Sequence, residues 1–346
     1  MNFYMNSGYV DFRKIRSLPF PFIIVVGGRG GGKTYGALET SIEDGIKFMF
    51  MRRRQMQVDI ISNPDFSPIK PVAKNNGWNI TMVKLPHTQI SAFVPYELDE
   101  NQKRVITGPP YGYTCALSTF SNLRGFDASE VDITIFDEFI PEKGERPLKD
   151  EADTLFNAYE SLNRNRELQG IPPMRLVCLS NANDQTAPVL ERLRLIPVID
   201  RMRKRGQELY TDAERGLCLL MLRDSPISAK KADTALYRLT AGSDFAGMAL
   251  ANDFSYEDRV GIISRPLTEY KPLFCVGEVY VYRHKSAKLY YATPHKTGTP
   301  SDYLTNETGL LKLRQDYGFL WDAYISGRFE FEDFFIKILL TKYMGW

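Results

Sequence analysis

A run of glycines closes on a lysine and a threonine in "GGRGGGKT", Gly27 to Thr34, and an aspartate and a glutamate stand side by side at Asp137 and Glu138. Gly27-x4-Gly32-Lys33-Thr34 is a complete Walker A pattern. Gly27, Gly28, Gly30, Gly31 and Gly32 leave room for backbone N–H groups to turn inward around β- and γ-phosphate oxygens. Lys33 supplies a point charge between those phosphates, and Thr34 offers a hydroxyl to Mg²⁺. Arg29, inside the loop, suits either a phosphate contact or solvent. Asp137 and Glu138 follow the apolar residues of "VDITIFDEF". The aspartate is placed to complete the Mg²⁺ shell, and the glutamate to orient and deprotonate an attacking water. The guanine-reading motif Asn-Lys-x-Asp is absent from the sequence, so ATP is the expected nucleotide.

Three further groups of polar residues fit the same chemistry. Ser180 and Asn181 in "LSNAN" end an apolar run, where they would sense the γ-phosphate or cap a turn. Arg164 and Arg166 in "SLNRNRE" follow a helical pattern beyond the acidic pair. An arginine there reaches a neighbouring subunit's nucleotide or complements a helix end. Arg52 and Arg53 in "MRRRQ" end another apolar run and either close over phosphates or form a basic surface.

These residues need elements to hold them. "PFIIVV" (21–26), "IKFMFM" (46–51), "TCALSTF" (114–120), "VDITIF" (131–136) and "MRLVCLS" (174–180) read as strands buried on both faces, which suits a parallel sheet between helices. Residues 33–45 and 151–165 have helical spacing. Strand and helix alternate, so the class is α/β with a mostly parallel sheet. Residues 75–110 read as two antiparallel strands forming an inserted subdomain. "LCLLML" (217–222) reads as the last strand of a first domain covering 1–224. Residues 225–255 read as a linker with a short helix. Residues 256–346 read as a smaller α+β domain, with strands in "RVGIIS", "LFCVGEVYVYRH" and "KLYYAT", a turn at "RHKSAK" and helices at the end.

The composition sets bounds. The 346 residues are 43% hydrophobic and 25% charged, a globular balance with room for two domains. The net charge of +2 does not by itself announce a nucleic-acid binder. Local clusters carry that reading: Lys70, Lys74 and Lys84; Lys103 and Arg104; Arg201, Arg203, Lys204 and Arg205; and Arg283, His284, Lys285, Lys288 and Lys296. The four cysteines match no zinc or redox spacing and read as buried reduced thiols of a cytosolic protein. No apolar run approaches eighteen residues and no signal-peptide core is present, so no membrane is expected. The motifs alone leave room for other ATPases of nucleic-acid remodelling, helicase-like or transposition-type, and for a non-catalytic nucleotide-dependent binder.

In order, the chain has "GGRGGGKT", "FMRRR", "IFDEFI", "RNRE" and "CLSNA". This series resembles the viral DNA-packaging ATPases of the large terminase group, and among them the packaging motors of phi29-like phages. The resemblance is strong over about residues 20–182. It implies an ATP- and Mg²⁺-dependent motor of ASCE type, a homo-oligomeric ring of five subunits that drives double-stranded DNA into a prohead through the portal. It implies the host cytoplasm and the portal vertex as the places of action, and absence from the mature virion. By motif match Lys33 and Thr34 bind phosphate and metal, Asp137 holds the metal and Glu138 activates water. Arg164 matches the arginine finger acting across the ring, with Arg166 nearby; Ser180 and Asn181 match the coupling motif. "NLRG" (122–125) resembles the Arg-Gly carried by many terminases upstream of the acidic pair. The second domain would resemble an RNase H-like nuclease. Its expected metal-binding strand, "FCVGEVYVYR", carries only Glu278 and implies a nuclease-dead domain that binds portal or a packaging RNA.

Overall fold

The structure is a computed structural model that describes residues 2–123, 125–142, 144–223, 225–243, 246, 249–250, 254 and 259–346. The chain divides into two compact units, residues 1–193 with 202–256, and residues 194–201 with 257–346.

The first unit holds a sheet of ten strands among the described residues: β1 (Phe22–Gly27), β2 (Phe48–Arg52), β3 (Ile80–Lys84), β4 (Ser91–Leu98), β5 (Arg104–Ile106), β6 (Gly112–Ala116), β7 (Ile133–Asp137), β8 (Arg175–Ser180), β9 (Leu209–Asp212) and β10 (Leu217–Leu222). The order is β3-β4-β6-β2-β7-β8-β1-β10-β9, with β5 on β4. From β6 to β10 the pairs are parallel. Their near-continuous apolar runs follow from burial on both faces. Ile23, Ile24, Val25 and Val26 are at most 2% exposed, and every residue of β10 is buried.

This shared direction brings the ends of β1, β2, β7 and β8 to one edge. There β1 passes into the loop 28–32 and the helix Lys33–Glu43, and β7 passes into Glu138 and later the helix Glu151–Asn163. The helix Lys33–Glu43 packs Ala37, Leu38 and Ile42 into the core beneath the sheet.

Several expectations change. "TCALSTF" is a strand only to Ala116; Leu117–Leu123 is a 3-10 helix that buries Leu117 and Phe120. β3 and β4 are antiparallel as expected, but they form no separate insert. β4 pairs with β6 from Ser91↔Thr114 to Phe93↔Gly112, so the hairpin extends the main sheet, with Phe93 packed on Phe48 and Phe50. β10 is the last strand of this sheet in chain order but lies inside it beside β1, because its six apolar residues need two strand neighbours. The stretch after Asp224 is more than a connector. It forms the helices Pro226–Ala232 and Ala235–Leu239 and buries Tyr237 and Ala249 with Leu250. Much of its later part, and Arg124 of "NLRG", lie outside the described residues.

The second unit holds β11 (Tyr270–Val276), β12 (Val279–His284), β13 (Tyr290–Thr293), β14 (Ser301–Tyr303) and β15 (Phe329–Phe331) in the order β14-β11-β12-β13-β15. Its helices include Glu307–Tyr317, Leu320–Ile325 and Phe334–Met344. "FCVGEVYVYR" is two strands, not one: the chain turns at Gly277 (φ 56°) and β11 pairs with β12 as a hairpin. "RVGIIS" forms no named strand; Ile262 makes an isolated bridge to Phe331.

Candidate active site

Gly30 and Gly32 have φ values of 65° and 84°, a region that costs a side chain dearly, so the glycines let the loop coil tightly into the helix at Lys33. The Lys33 side chain folds back beneath that coil. Its Nζ donates to the carbonyls of Gly27 (3.0 Å) and Gly28 (2.9 Å) and to Oδ1 of Asn181 (3.0 Å). Lys33 is only 8% exposed. Burial brings its pKa down to about 8, with Lys231 and Arg29 adding to the fall and Asp137 and Glu138 opposing it. Thr34 donates from Oγ1 to Oδ2 of Asp137 at 2.9 Å.

Arg52, at the end of β2, binds both acids. One guanidinium nitrogen lies 2.8 Å from Oδ2 of Asp137 and another pairs with Oε2 of Glu138. Glu138 sits one residue past β7 with φ 57°, uncommon for a residue with a side chain. Half of its side chain faces solvent. Neighbouring protein partly desolvates the carboxylate and raises its pKa, against the pull of Arg52 and with the help of Asp137. Arg29 pairs with Glu142 at 2.6 Å. Ser180 is buried at the end of β8, with its Oγ 3.4 Å from the backbone nitrogen of Ile140.

Arg29, Lys33, Thr34, Asp137, Glu138, Ser180 and Asn181 line one cleft of about 860 Å³ with Tyr9, Tyr35, Glu39, Pro71 and Asn75. The Nε atoms of Arg29, which lines the cleft, and of Arg52, behind the two acids, are buried without a hydrogen-bond partner. The oxygen pair of Thr34 and Asp137 is the donor set that Mg²⁺ prefers. A polyphosphate with a hard divalent cation fits this cleft.

The profile of the podovirus DNA encapsidation protein (Gp16) family matches residues 93–285, more than half of the chain. The chain belongs to that family. Two solved structures share its fold over nearly the whole length. The bacteriophage Phi-29 viral genome packaging motor assembly matches with a TM-score of 0.67 at 20% identity, covering 99% of this chain and 100% of that one. The Phi-28 gp11 DNA packaging motor matches with a TM-score of 0.62 at 18% identity, covering 98% of both chains. No curated protein matches significantly.

In this encapsidation protein, Gly30, Gly31, Gly32, Lys33, Thr34, Arg29, Asp137, Glu138, Ser180 and Asn181 converge on the cleft, and Arg52 reaches it through the acids. Arg53 does not. It is wholly buried on the other face of the strand end, where Glu151 accepts from Nε (2.9 Å) and Nη2 (2.7 Å) and Glu145 lies 2.6 Å from Nη1. Arg53 thus pins the loop after Glu138 and the start of the helix Glu151–Asn163. Arg164 also lies elsewhere. It caps the far end of that helix, and its guanidinium holds Asp127 (3.1 Å) and the carbonyl of Phe126 (2.9 Å). Arg166 donates to the carbonyl of Ser129 at 2.6 Å. Both sit at the amino-terminal edge of the sheet, about 15 Å along the strands from the cleft.

Sequence reading did not pick out the cleft contributions of Tyr9, Tyr35 and Asn75, where Asn75 donates to the Tyr35 hydroxyl at 3.2 Å. Nothing in the chain pattern marks the N-terminal segment, which docks through Val10 N–H to Gly31 O (2.9 Å).

Proposed function

We propose that this chain is an ATP-hydrolysing motor subunit that drives double-stranded viral DNA through the portal into a preformed prohead. Membership in a DNA-encapsidation family supports the process. One observation carries the chemistry: Lys33, Thr34, Asp137 and Asn181, drawn from the ends of three strands, meet within hydrogen-bond distance around a glycine loop. This reads as the P-loop of an ASCE-type ATPase.

Bound Mg²⁺ and ATP supply the electrophilic phosphorus and neutralise its charge. Thr34 and Asp137 would hold the cation, Lys33 and the loop N–H groups the phosphates. Glu138 accepts a proton from the attacking water once Arg52 releases it, and the desolvation that raises its pKa makes it a stronger base. Asn181 ties the end of β8 to Lys33, a direct route from the phosphates to the coupling strand. Arg164 is out of reach of its own cleft, so its role at a nucleotide belongs to a neighbour's site in a ring. We read that ring as a pentamer at the portal vertex in the host cytoplasm, assisted by a packaging RNA.

We read the first unit as the P-loop domain and the second as a nuclease-like domain without nuclease activity. Three acids of the last unit are engaged locally. Glu278 pairs with Arg194 (2.9 Å), Asp302 accepts from the Cys275 thiol (3.2 Å) and Asp316 from the Tyr303 hydroxyl (2.6 Å). Two-metal cleavage needs carboxylates converging on ions about 4 Å apart. ATP turnover of the full chain, alone and with proheads plus DNA, tests the motor. Strong stimulation only by the complete mixture is expected. Turnover that single-stranded nucleic acid alone stimulates would favour a helicase-like ATPase, and no turnover would end the reading.

A further inference from the structure

The helix Pro226–Ala232 sends Lys231 onto the outside of the glycine loop. Its Nζ donates to the carbonyl of Arg29 and lies directly over Gly30. Tyr237 backs it, with the ammonium 5.7 Å from the ring centroid. Nearby, the carbonyl of Ala249 covers Gly28 so closely that a Cβ there would stand 2.9 Å from it. Two separate points of the 225–250 stretch therefore press on the loop, both within the first unit.

We propose that Lys231 is a positioning residue for the nucleotide, and that it makes the 225–243 segment sense whether the loop is filled. In a trans peptide the C=O and the following N–H point in opposite directions. Holding the Arg29 carbonyl outward therefore aims the Gly30 N–H inward, toward the cleft. The residue is needed because Gly30 is followed by Gly31 and Gly32, and glycines let a peptide plane flip at little cost. Lys33 holds the neighbouring carbonyls of Gly27 and Gly28 from the inside. The two lysines thus grip successive peptide units from opposite faces. Burial that lowers the Lys231 pKa agrees with an ammonium enclosed against the loop. The inference rests on the nucleotide reading of the cleft.

The test uses the full chain and equilibrium binding of a fluorescent, non-hydrolysable ATP analogue with Mg²⁺. Lys231→Met keeps the length and removes the charge; loss of one charge-assisted hydrogen bond weakens binding about tenfold. Lys231→Arg stays within about twofold of wild type, and kcat at saturating ATP changes less than KM in both. Hydrogen exchange over residues 225–243 slows when the analogue binds wild type and does not respond in Lys231→Met. Equal affinity in wild type and Lys231→Met, equal loss in Lys231→Arg, or exchange that ignores the analogue in wild type overturns the proposal. A wild type that binds no analogue overturns the nucleotide reading beneath it.

Discussion

At the carboxyl-terminal edge of the parallel strands, the side chains of Arg52 and Arg53 are 12% and 0% exposed, whereas at the amino-terminal edge Arg164 is 43% exposed. The four carboxylates of Asp137, Glu138, Glu145 and Glu151 surround the first pair. Arg164 has one exposed aspartate. The difference follows from solvation. A buried guanidinium must be matched by carboxylates or it unfolds its surroundings, so Arg52 and Arg53 are bound into the structure of the site. An exposed guanidinium is solvated at little cost and contributes little to the fold, which leaves it available to a partner.

Four substitutions probe that contrast. Arg164→Ala has the largest expected effect: turnover in the assembled ring falls about 10³-fold or more, while analogue binding and thermal stability hold. Mixing it with Glu138→Gln subunits, which still carry Arg164, restores part of the turnover if the arginine serves a neighbour. Mixtures that stay inactive would remove the assignment of Arg164 to a neighbour's site, and Arg164→Ala rings that keep full turnover would place it among ordinary surface residues and erase the functional half of the comparison. Glu138→Gln follows, with single-turnover hydrolysis down about 10²-fold or more and Mg²⁺-dependent analogue affinity kept; a variant above half of wild-type turnover removes Glu138 from the role of base.

Arg53→Ala addresses the buried edge through stability. It strands Glu151, itself 1% exposed, and should cost about 3–5 kcal/mol in denaturant unfolding of the full chain. A cost below about 1 kcal/mol would show that the strand ends are not held by this cluster. Arg166→Ala is the smallest, a loss under about 1 kcal/mol, because its single bond to the Ser129 carbonyl lies at the surface. If Arg166→Ala also lost turnover in the ring while Arg164→Ala did not, the finger would move by two residues.

A separate measurement sharpens the contrast between the two units. Supercoiled plasmid incubated with the full chain and Mn²⁺ or Mg²⁺ should stay intact, since Glu278 is held by Arg194 at a hairpin turn rather than facing other carboxylates. Nicking that vanishes in Glu278→Ala would overturn that reading.

Local pattern was enough to make the glycine loop, the strand before it, the helix after it and the acidic pair legible, because backbone sterics and hydrophobic burial act within a few residues. The alternation of apolar runs and helices likewise pointed to a parallel sheet, since strands covered on both faces must be apolar throughout. Pattern could not say that β3 and β4 would join that sheet, that β10 would lie beside β1, or that Gly277 would split one apparent strand into two; these depend on which edges are open when the layers meet. Nor could it separate Arg52 from Arg53, adjacent residues that a strand's alternation sends to opposite faces, one to Asp137 and Glu138 and one to Glu151. Lys231 is the extreme case. It stands about two hundred residues from the loop it touches, in a stretch that reads as polar connector, and only the packing of Tyr237 and Ala249 in the folded chain brings its ammonium to Arg29. Composition and spacing record the needs of neighbours in sequence, and long-range pairing of charges is chosen by the tertiary fold.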